Sequence, residues 1–381
     1  MSQSRPLRIL TDPGTANRLG SQLTRRGFLA ASGVSALALL AACTPQGSST
    51  VGGSVRMYTW EEYNNPDNIA LFTNQNGVSV SIASFGSNEE MIDGLLSGAA
   101  DLIVPTGPYV PGLIEAGMIQ KLDMDLIPNF ANVEPAFRGF AWDLADEWTV
   151  VKNWGTTGFV YDNTVITRPL RSWADFIDAA QKEASGRTSL LDDPRDLFGL
   201  YFWSRGIDWN TTESVAYDDA ERYLMAELAP HVSSFDSMVS TAMNESDQAL
   251  LQGYNGDVRF GLLESEAASR WTWVLPEPAT EIWVDTYAIP ASAMSPRAAH
   301  AFINFMLTPE VSLAELSWNG YSTGLTNIGM AAQLAGEELL DMVFFDDDAL
   351  ETMTPAVINA MQDRAVTFWD AFKAASGAQT K

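Results

Sequence analysis

The 381-residue chain is predicted to be an α/β protein folded in two lobes. Three observations lead there. Its length exceeds what a single hydrophobic core usually organises. Strand-like and helix-like segments alternate through its first third, the order that builds a parallel sheet covered by helices. Finally, two β-rich stretches, Trp148–Trp154 and Gly158–Asp162, flank Gly155-Thr156-Thr157, and glycine at such a joint permits a change of direction. The first crossing between lobes is placed there.

The first 42 residues stand outside the fold. Thr24-Arg25-Arg26-Gly27-Phe28-Leu29 has the twin-arginine signal pattern, and the apolar stretch Phe28 to Ala42 is too short to span a bilayer. Leu40-Ala41-Ala42-Cys43 resembles the lipobox of bacterial lipoproteins, in which the cysteine is lipidated after cleavage. An ordinary secretory leader remains the alternative to twin-arginine export. Cys43 is the only cysteine, so no intrachain disulfide can form. The segment 43–54 is rich in Gly and Ser, the composition of a flexible tether. The expectation is an exported body held by a lipid at the outer face of the cell membrane.

The body opens with the strand Val55–Trp60, followed by Glu61-Glu62-Tyr63-Asn64 and a helix from Asn65-Pro66 to Gly77. A strand alternating at Val78, Val80 and Ile82 comes next. Ser87-Asn88-Glu89-Glu90 is a capping box for a helix ending near Gly98, and Asp101–Pro105 reads as a short buried strand before a helix from Pro111 to Ala116. Past the glycine joint, Ser172 caps a helix, and Ser189–Leu191 is a strand running into Asp192-Asp193-Pro194-Arg195-Asp196. Here Asp193 stands at the N-cap, Pro194 at the first helical position and Asp196 at the third. Both carboxylates are accounted for by capping alone, yet the carboxyl end of a strand is also where open α/β sheets hold ligands. Helices are expected at 212–228 and 236–251, then a strand Val258–Leu263, a helix from Glu264, strands Trp271–Leu275 and Ile282–Ile289, and a helical C-terminal region.

Charge and composition exclude several functions. Net charge is −26, and the Arg-rich first 42 residues carry +4, which leaves −30 on the remainder. Such a surface repels nucleic acid and anionic lipid and favours cations. With two histidines and one cysteine, parts for a triad or a His/Cys metal site are scarce, and neither a dinucleotide fingerprint nor a P-loop occurs. No catalytic residue, metal or cofactor is expected. A carboxylate pair such as Asp193 and Asp285 is the one enzymatic alternative, in the manner of a glycosidase.

Eight strings in order resemble the polyamine-binding proteins that feed ABC importers for spermidine and putrescine. They are Tyr58–Tyr63 (YTWEEY), Ser87–Met91 (SNEEM), Asp101–Val110 (DLIVPTGPYV), Gly117–Asp123 (GMIQKLD), Asn153–Gly158 (NWGTTG), Asp192–Asp196 (DDPRD), Trp283–Pro290 (WVDTYAIP) and Asn319–Gly324 (NGYSTG). The resemblance covers about Val55 to Ala374. It implies a periplasmic-binding-protein-like fold of the double-crossover kind, with ligand in the cleft between lobes. Residues 55–157 with about 285–313 would form lobe 1, and 158–284 with about 314–381 lobe 2.

By matching position, the resemblance makes Trp60 and Trp283 aromatic walls, Tyr63 and Tyr321 polar-aromatic contacts, and Glu62, Asp193, Asp196 and Asp285 carboxylates facing ammonium groups. Thr106 matches a small hydroxyl position. Glu264 stands where the family usually has a cleft tryptophan, and Pro108 where it often has a tyrosine. These departures keep open a different organic cation or a small zwitterion as ligand. The implied partners are a polyamine and the subunits of an ABC permease, with the receptor itself expected to be a monomer.

Overall fold

The computed structural model describes residues 52–98 and 100–376. The expected signal segment, Cys43 and all but the last three residues of the tether lie outside the described residues. Strands β1 (Ser54–Trp60), β2 (Ser79–Phe85), β3 (Leu102–Ile103), β4 (Ile119–Gln120) and β5 (Thr149–Asp162) precede β6 (Thr188–Leu190), β7 (Val232–Phe235) and β8 (Leu250–Tyr254). They are followed by β9 (Trp271–Val274), β10 (Thr280–Pro290) and β11 (Met353–Thr354). Among the described residues they form one hydrogen-bonded path, β2-β1-β3-β10-β5-β8-β6-β7, with β4 and β11 on β10 and β9 on β5. The runs β2-β1-β3 and β8-β6-β7 are each parallel, and the antiparallel pair β10–β5 joins them.

That central pair explains how one path serves two cores. All 14 residues of β5 are buried, and at roughly 3.3 Å per residue such a strand is about 46 Å long. Val150, Val151 and Trp154 pack in a first core, while Phe159 and Tyr161 pack in a second. The glycine joint expected to break this stretch is instead an unbroken strand. Gly155 is required for close approach: a Cβ there would lie 2.4 Å from the Trp283 ring.

The first core also takes residues from β1 to Phe137 and from Ile282 to Met353; the second takes residues up to Val274, then Ala356 to Phe372. Leu316, Leu325, Ile328, Val343 and Leu350, expected in lobe 2, therefore pack in the first core. The cause is local. Helix Pro309–Asn319 is tied to the segment after β1, where the Asn65 N–H and Asn68 Nδ2 donate to Glu315 at 3.1 and 2.8 Å.

Capping follows the sequence closely. Asn65 caps helix Pro66–Asn76, Ser172 and Asp175 form a reciprocal box, and Asp193 Oδ1 accepts from the Arg195 and Asp196 N–H groups at 2.6 and 3.2 Å. Two elements differ from expectation. The span 236–251 holds only a short helix, Val239–Glu245, before β8, and the expected strand Val258–Leu263 lies within helix Asn255–Glu264. Leu250 and Leu251 are wholly buried in β8, between β5 and β6, so they lack the alternation that marks a half-exposed strand.

Candidate functional site

The β10–β5 ladder sets out the site. Alternation along β10 puts Glu281, Trp283 and Asp285 on one face, and the register sets Gly155 opposite Trp283 and Asn153 opposite Asp285. The Thr157 hydroxyl donates to Glu281 Oε2 at 3.2 Å. Asp285 accepts from the Thr106 hydroxyl at 2.8 Å and the Tyr63 hydroxyl at 2.9 Å. Thr106 is fixed in turn by Asn88, whose Oδ1 accepts the Thr106 N–H at 3.0 Å and whose Nδ2 donates to Thr106 Oγ1 at 3.1 Å.

Aromatic rings continue this surface. Tyr63 meets Tyr321 edge-on at 6.1 Å, Tyr321 meets Trp283 at 4.9 Å, and Trp283 meets Tyr254 at 5.8 Å. Gly256 makes room for the Tyr321 ring, which a Cβ would approach to 2.4 Å. Behind Tyr63 lies Lys152, its Nζ 3.7 Å from the ring centre, donating to the Tyr63 carbonyl at 2.8 Å and standing 3.8 Å from Glu315. Burial lowers the Lys152 pKa to about 8 although Glu315 and Asp285 oppose the shift.

The acidic helix Pro194–Trp203 meets this surface from the side of the second core, to which its Leu197, Phe198 and Leu200 belong. The Tyr254 hydroxyl donates to Asp196 Oδ2 at 3.4 Å, whereas the buried Asp196 Oδ1 has no hydrogen-bond donor. Burial pushes the pKa of Asp196 well above the carboxylate range, and the charges of Glu281 and Asp193 add to it. Asp193 is raised by burial too, against the two backbone N–H groups that it caps. Glu281 rises to about 8 through burial and the neighbouring Asp193, and Asp285 to about 6 through burial, partly offset by its two hydroxyl donors. Asp193, Asp196 and Glu281 thus lie close enough for their charges to oppose one another's ionisation, whereas Asp285, farther along β10, is raised by burial.

A polar strap crosses between the cores beside them. Tyr109 donates to Glu89 Oε1 at 2.8 Å, and Gln362, from the C-terminal helix Gln362–Ser376, donates to the same oxygen at 3.1 Å. Arg195 reaches toward this helix, donating to the Val357 carbonyl at 3.0 Å and to Asn210 Oδ1 at 3.1 Å. Its guanidinium makes no hydrogen bond to Asp193, but its charge still favours the ionised forms of Asp193 and Glu281.

The structure brings together Tyr63, Thr106, Asp193, Asp196, Trp283, Asp285 and Tyr321 of the residues singled out by sequence. Trp60 borders them: its indole N–H donates to the Val104 carbonyl at 3.1 Å and its ring meets Phe85 edge-on. Glu62 does not join. It is exposed in a left-handed turn at φ +50°, and only its backbone carbonyl is engaged, by the Trp318 indole. Glu264 does not join either. It is exposed at the last position of helix Asn255–Glu264, while the first turn of that helix carries Gly256 beside Tyr321. Ten residues of helix put about 15 Å between those ends. Tyr254 ends β8, the second strand after the acidic helix, and Tyr109, next to Pro108, carries a hydroxyl into the strap. Glu281 and Tyr254 were missed. Two-residue alternation back from Trp283 and Asp285 points to Glu281; nothing in the sequence marks Tyr254 without the correct end of β8.

Comparison with known proteins identifies the family and the fold. A family model described as bacterial extracellular solute-binding protein matches residues 68–341. The spermidine/putrescine-binding periplasmic protein of Escherichia coli is 30% identical over 295 residues, which is 76% of this chain and 82% of that protein. The putrescine/agmatine-binding protein of Pseudomonas aeruginosa is 26% identical over 288 residues, 71% of this chain and 78% of that protein. Among solved structures, a putative spermidine/putrescine ABC transporter protein from Listeria monocytogenes superposes with a TM-score of 0.77 at 23% identity, covering 84% of this chain and 98% of the other. The TpPotD lipoprotein of Treponema pallidum gives 0.73 at 25% identity, covering 85% and 99%.

Proposed function

The chain belongs to the bacterial extracellular solute-binding proteins and has a periplasmic-binding-protein-like fold, and from that premise we propose that it captures a polyamine between its two cores and delivers it to an ABC permease. The observation that carries this reading is the group of four carboxyls around Trp283, with Asp196 Oδ1 buried and without a donor. A polyamine offers separated ammonium groups on an apolar thread. Its charges meet Asp193, Asp196, Glu281 and Asp285 in charge-assisted hydrogen bonds, and its methylenes and charges lie against Trp283, Tyr321 and Tyr63. Trp60 forms the outer edge of that wall. The two cores act as lobes joined through β5 and β10, and ligand draws them together because only closure gives each ammonium its full set of acceptors.

No chemistry follows capture. His231 is engaged with Ser185, and His300 accepts the Asp123 N–H and bonds the Pro296 carbonyl, so neither serves these carboxyls as a proton carrier. Outside the described residues, the twin-arginine pattern and Cys43 support an exported receptor, lipid-anchored at the outer face of the cell membrane. The Treponema pallidum relative is itself a lipoprotein. Among the described residues no helix is long and apolar enough to cross a membrane.

Calorimetry on the purified protein tests this reading. Putrescine or spermidine is expected to bind one-to-one, with the amine recovered unchanged. Heat from a neutral oligosaccharide with release of its hydrolysis products, and none from any amine, would replace the receptor with an enzyme.

A further inference from the structure

Three of the four carboxyls in the site lie toward one end. The acidic helix contributes Asp193 and Asp196, and β10 contributes Glu281, whose carboxyl feels Asp193 ahead of Asp285. Asp285 is the single carboxyl at the other end, with its Tyr63 and Thr106 hydroxyls and the Lys152 charge behind them. Four residues of strand separate Glu281 from Asp285, about 13 Å between their Cα atoms. The Trp283 indole lies between them. Two buried polar atoms on this track have no partner in the protein: Trp283 Nε1, on a residue 9% exposed, and Asp196 Oδ1, on a residue 2% exposed. The track is thus a single acid, an indole, and a triple acid beside which Arg195, hydrogen-bonded to Val357 and Asn210, supplies one positive charge that eases the ionisation of Asp193 and Glu281.

We propose that Glu281 is a specificity-determining residue: it supplies the additional carboxylate at the triple-acid end that lets the site hold two ammonium groups there and one at Asp285, so that it selects a linear triamine over a diamine. The inference rests on the polyamine reading above and deepens it. A diamine sets one ammonium at Asp285 and one at the triple-acid end, where three carboxyls then share that ammonium and the more distant charge of Arg195. Ionising all three of these dehydrated acids is costly, so they retain protons and contribute little to affinity. A triamine brings a second positive charge to that end, and Glu281 ionises to meet it. Glu281 is well placed for this: it holds a single hydrogen bond, from Thr157, and is set on a rigid central strand rather than a loop.

Two readouts test the role. Spermidine and putrescine are titrated calorimetrically into the wild-type protein and Glu281→Gln, at pH 7 in buffers of different ionisation enthalpy, which count the protons released. The wild type is expected to favour spermidine by about tenfold or more and to release more protons with spermidine than with putrescine. Glu281→Gln should lose about tenfold more affinity for spermidine than for putrescine, and lose the difference in proton count. Equal wild-type affinities, or a substitution that weakens both amines alike, overturns the role of Glu281 while leaving polyamine capture standing. Absence of heat from either amine with the wild type instead removes the polyamine reading itself. A misfolded variant is recognised by its melting curve, and the wild-type comparison still decides the selectivity.

Discussion

Asp285→Asn is expected to weaken spermidine binding by about 30-fold or more, while the ligand-free protein melts at the same temperature or higher at pH 8. Removing one member of a buried, hydrogen-bonded charge pair costs about 2–5 kcal/mol, because the other charge is left dehydrated and unpaired. An amide keeps one acceptor oxygen for the Tyr63 and Thr106 hydroxyls, so the local structure survives. The ligand-free protein loses nothing by the change, because burial raises the carboxyl to about 6 and an ionised Asp285 at pH 8 is a strained group. Calorimetry together with a melting curve reads both effects. Unchanged binding would place Asp285 outside the site; lost binding with a collapsed melting temperature would make its role structural.

Spermidine affinity should rise by about tenfold or more between pH 6 and pH 8, and over the same range the ligand-free protein should become less stable. Both follow from raised carboxyl pKa values. A carboxyl that keeps its proton longer in the folded protein than in the unfolded chain adds stability that is complete below about pH 4. That contribution is lost as the pH rises through about 6 for Asp285 and Asp257 and about 8 for Glu281. Lys152, lowered to about 8, acts in the opposite sense only above this window. Alkylammonium groups resemble the Lys side chain, with a pKa near about 10.4, and stay charged throughout. Amine binding must therefore displace protons from the site below pH 8, which lowers affinity there. Melting curves with and without spermidine at three pH values should show the ligand-induced rise growing with pH. A rise that is flat, or that shrinks toward pH 8, would mean that these carboxyls do not meet the ligand.

The opposed effects of pH share one physical origin. A site for a multiply charged cation holds several carboxyls in too little water, and their repulsion lowers the stability of the ligand-free fold. The bound amine relieves that repulsion, so affinity and lobe closure draw on the same electrostatic energy. Lys152 and Glu315 show the alternative arrangement, in which a buried charge has its counterion built in, and they lie behind Tyr63 rather than among the four carboxyls.

Much of this was legible in the sequence because capping and alternation are local. N-cap chemistry fixed the local structure around Asp193 and Asp196, and the strand reading that of Trp283 and Asp285, while their site roles came from the resemblance. The failures came where tertiary packing overrides a local signal. Gly155 reads as a hinge until the Trp283 ring is seen lying over it. Leu250 and Leu251 read as helix because a strand buried on both faces has no polar alternation. That one misreading carried Glu264 into the expected site and left Tyr254 out. Glu62, singled out by the resemblance alone, lies exposed in a left-handed turn after β1, which turns it away from the other site residues. Residues 314–353 were assigned to the wrong lobe because hydrogen bonds from Asn65 and Asn68, distant in sequence, decide where helix Pro309–Asn319 packs.

The most direct measurement is a crystal structure of the protein loaded with spermidine. The expected result is a single extended amine between the cores, one ammonium within hydrogen-bond distance of Asp285, others at Asp196 and Glu281, and methylenes against the Trp283 indole. Spermidine on the outer surface, with those four side chains making no contact to it, would contradict capture between the lobes.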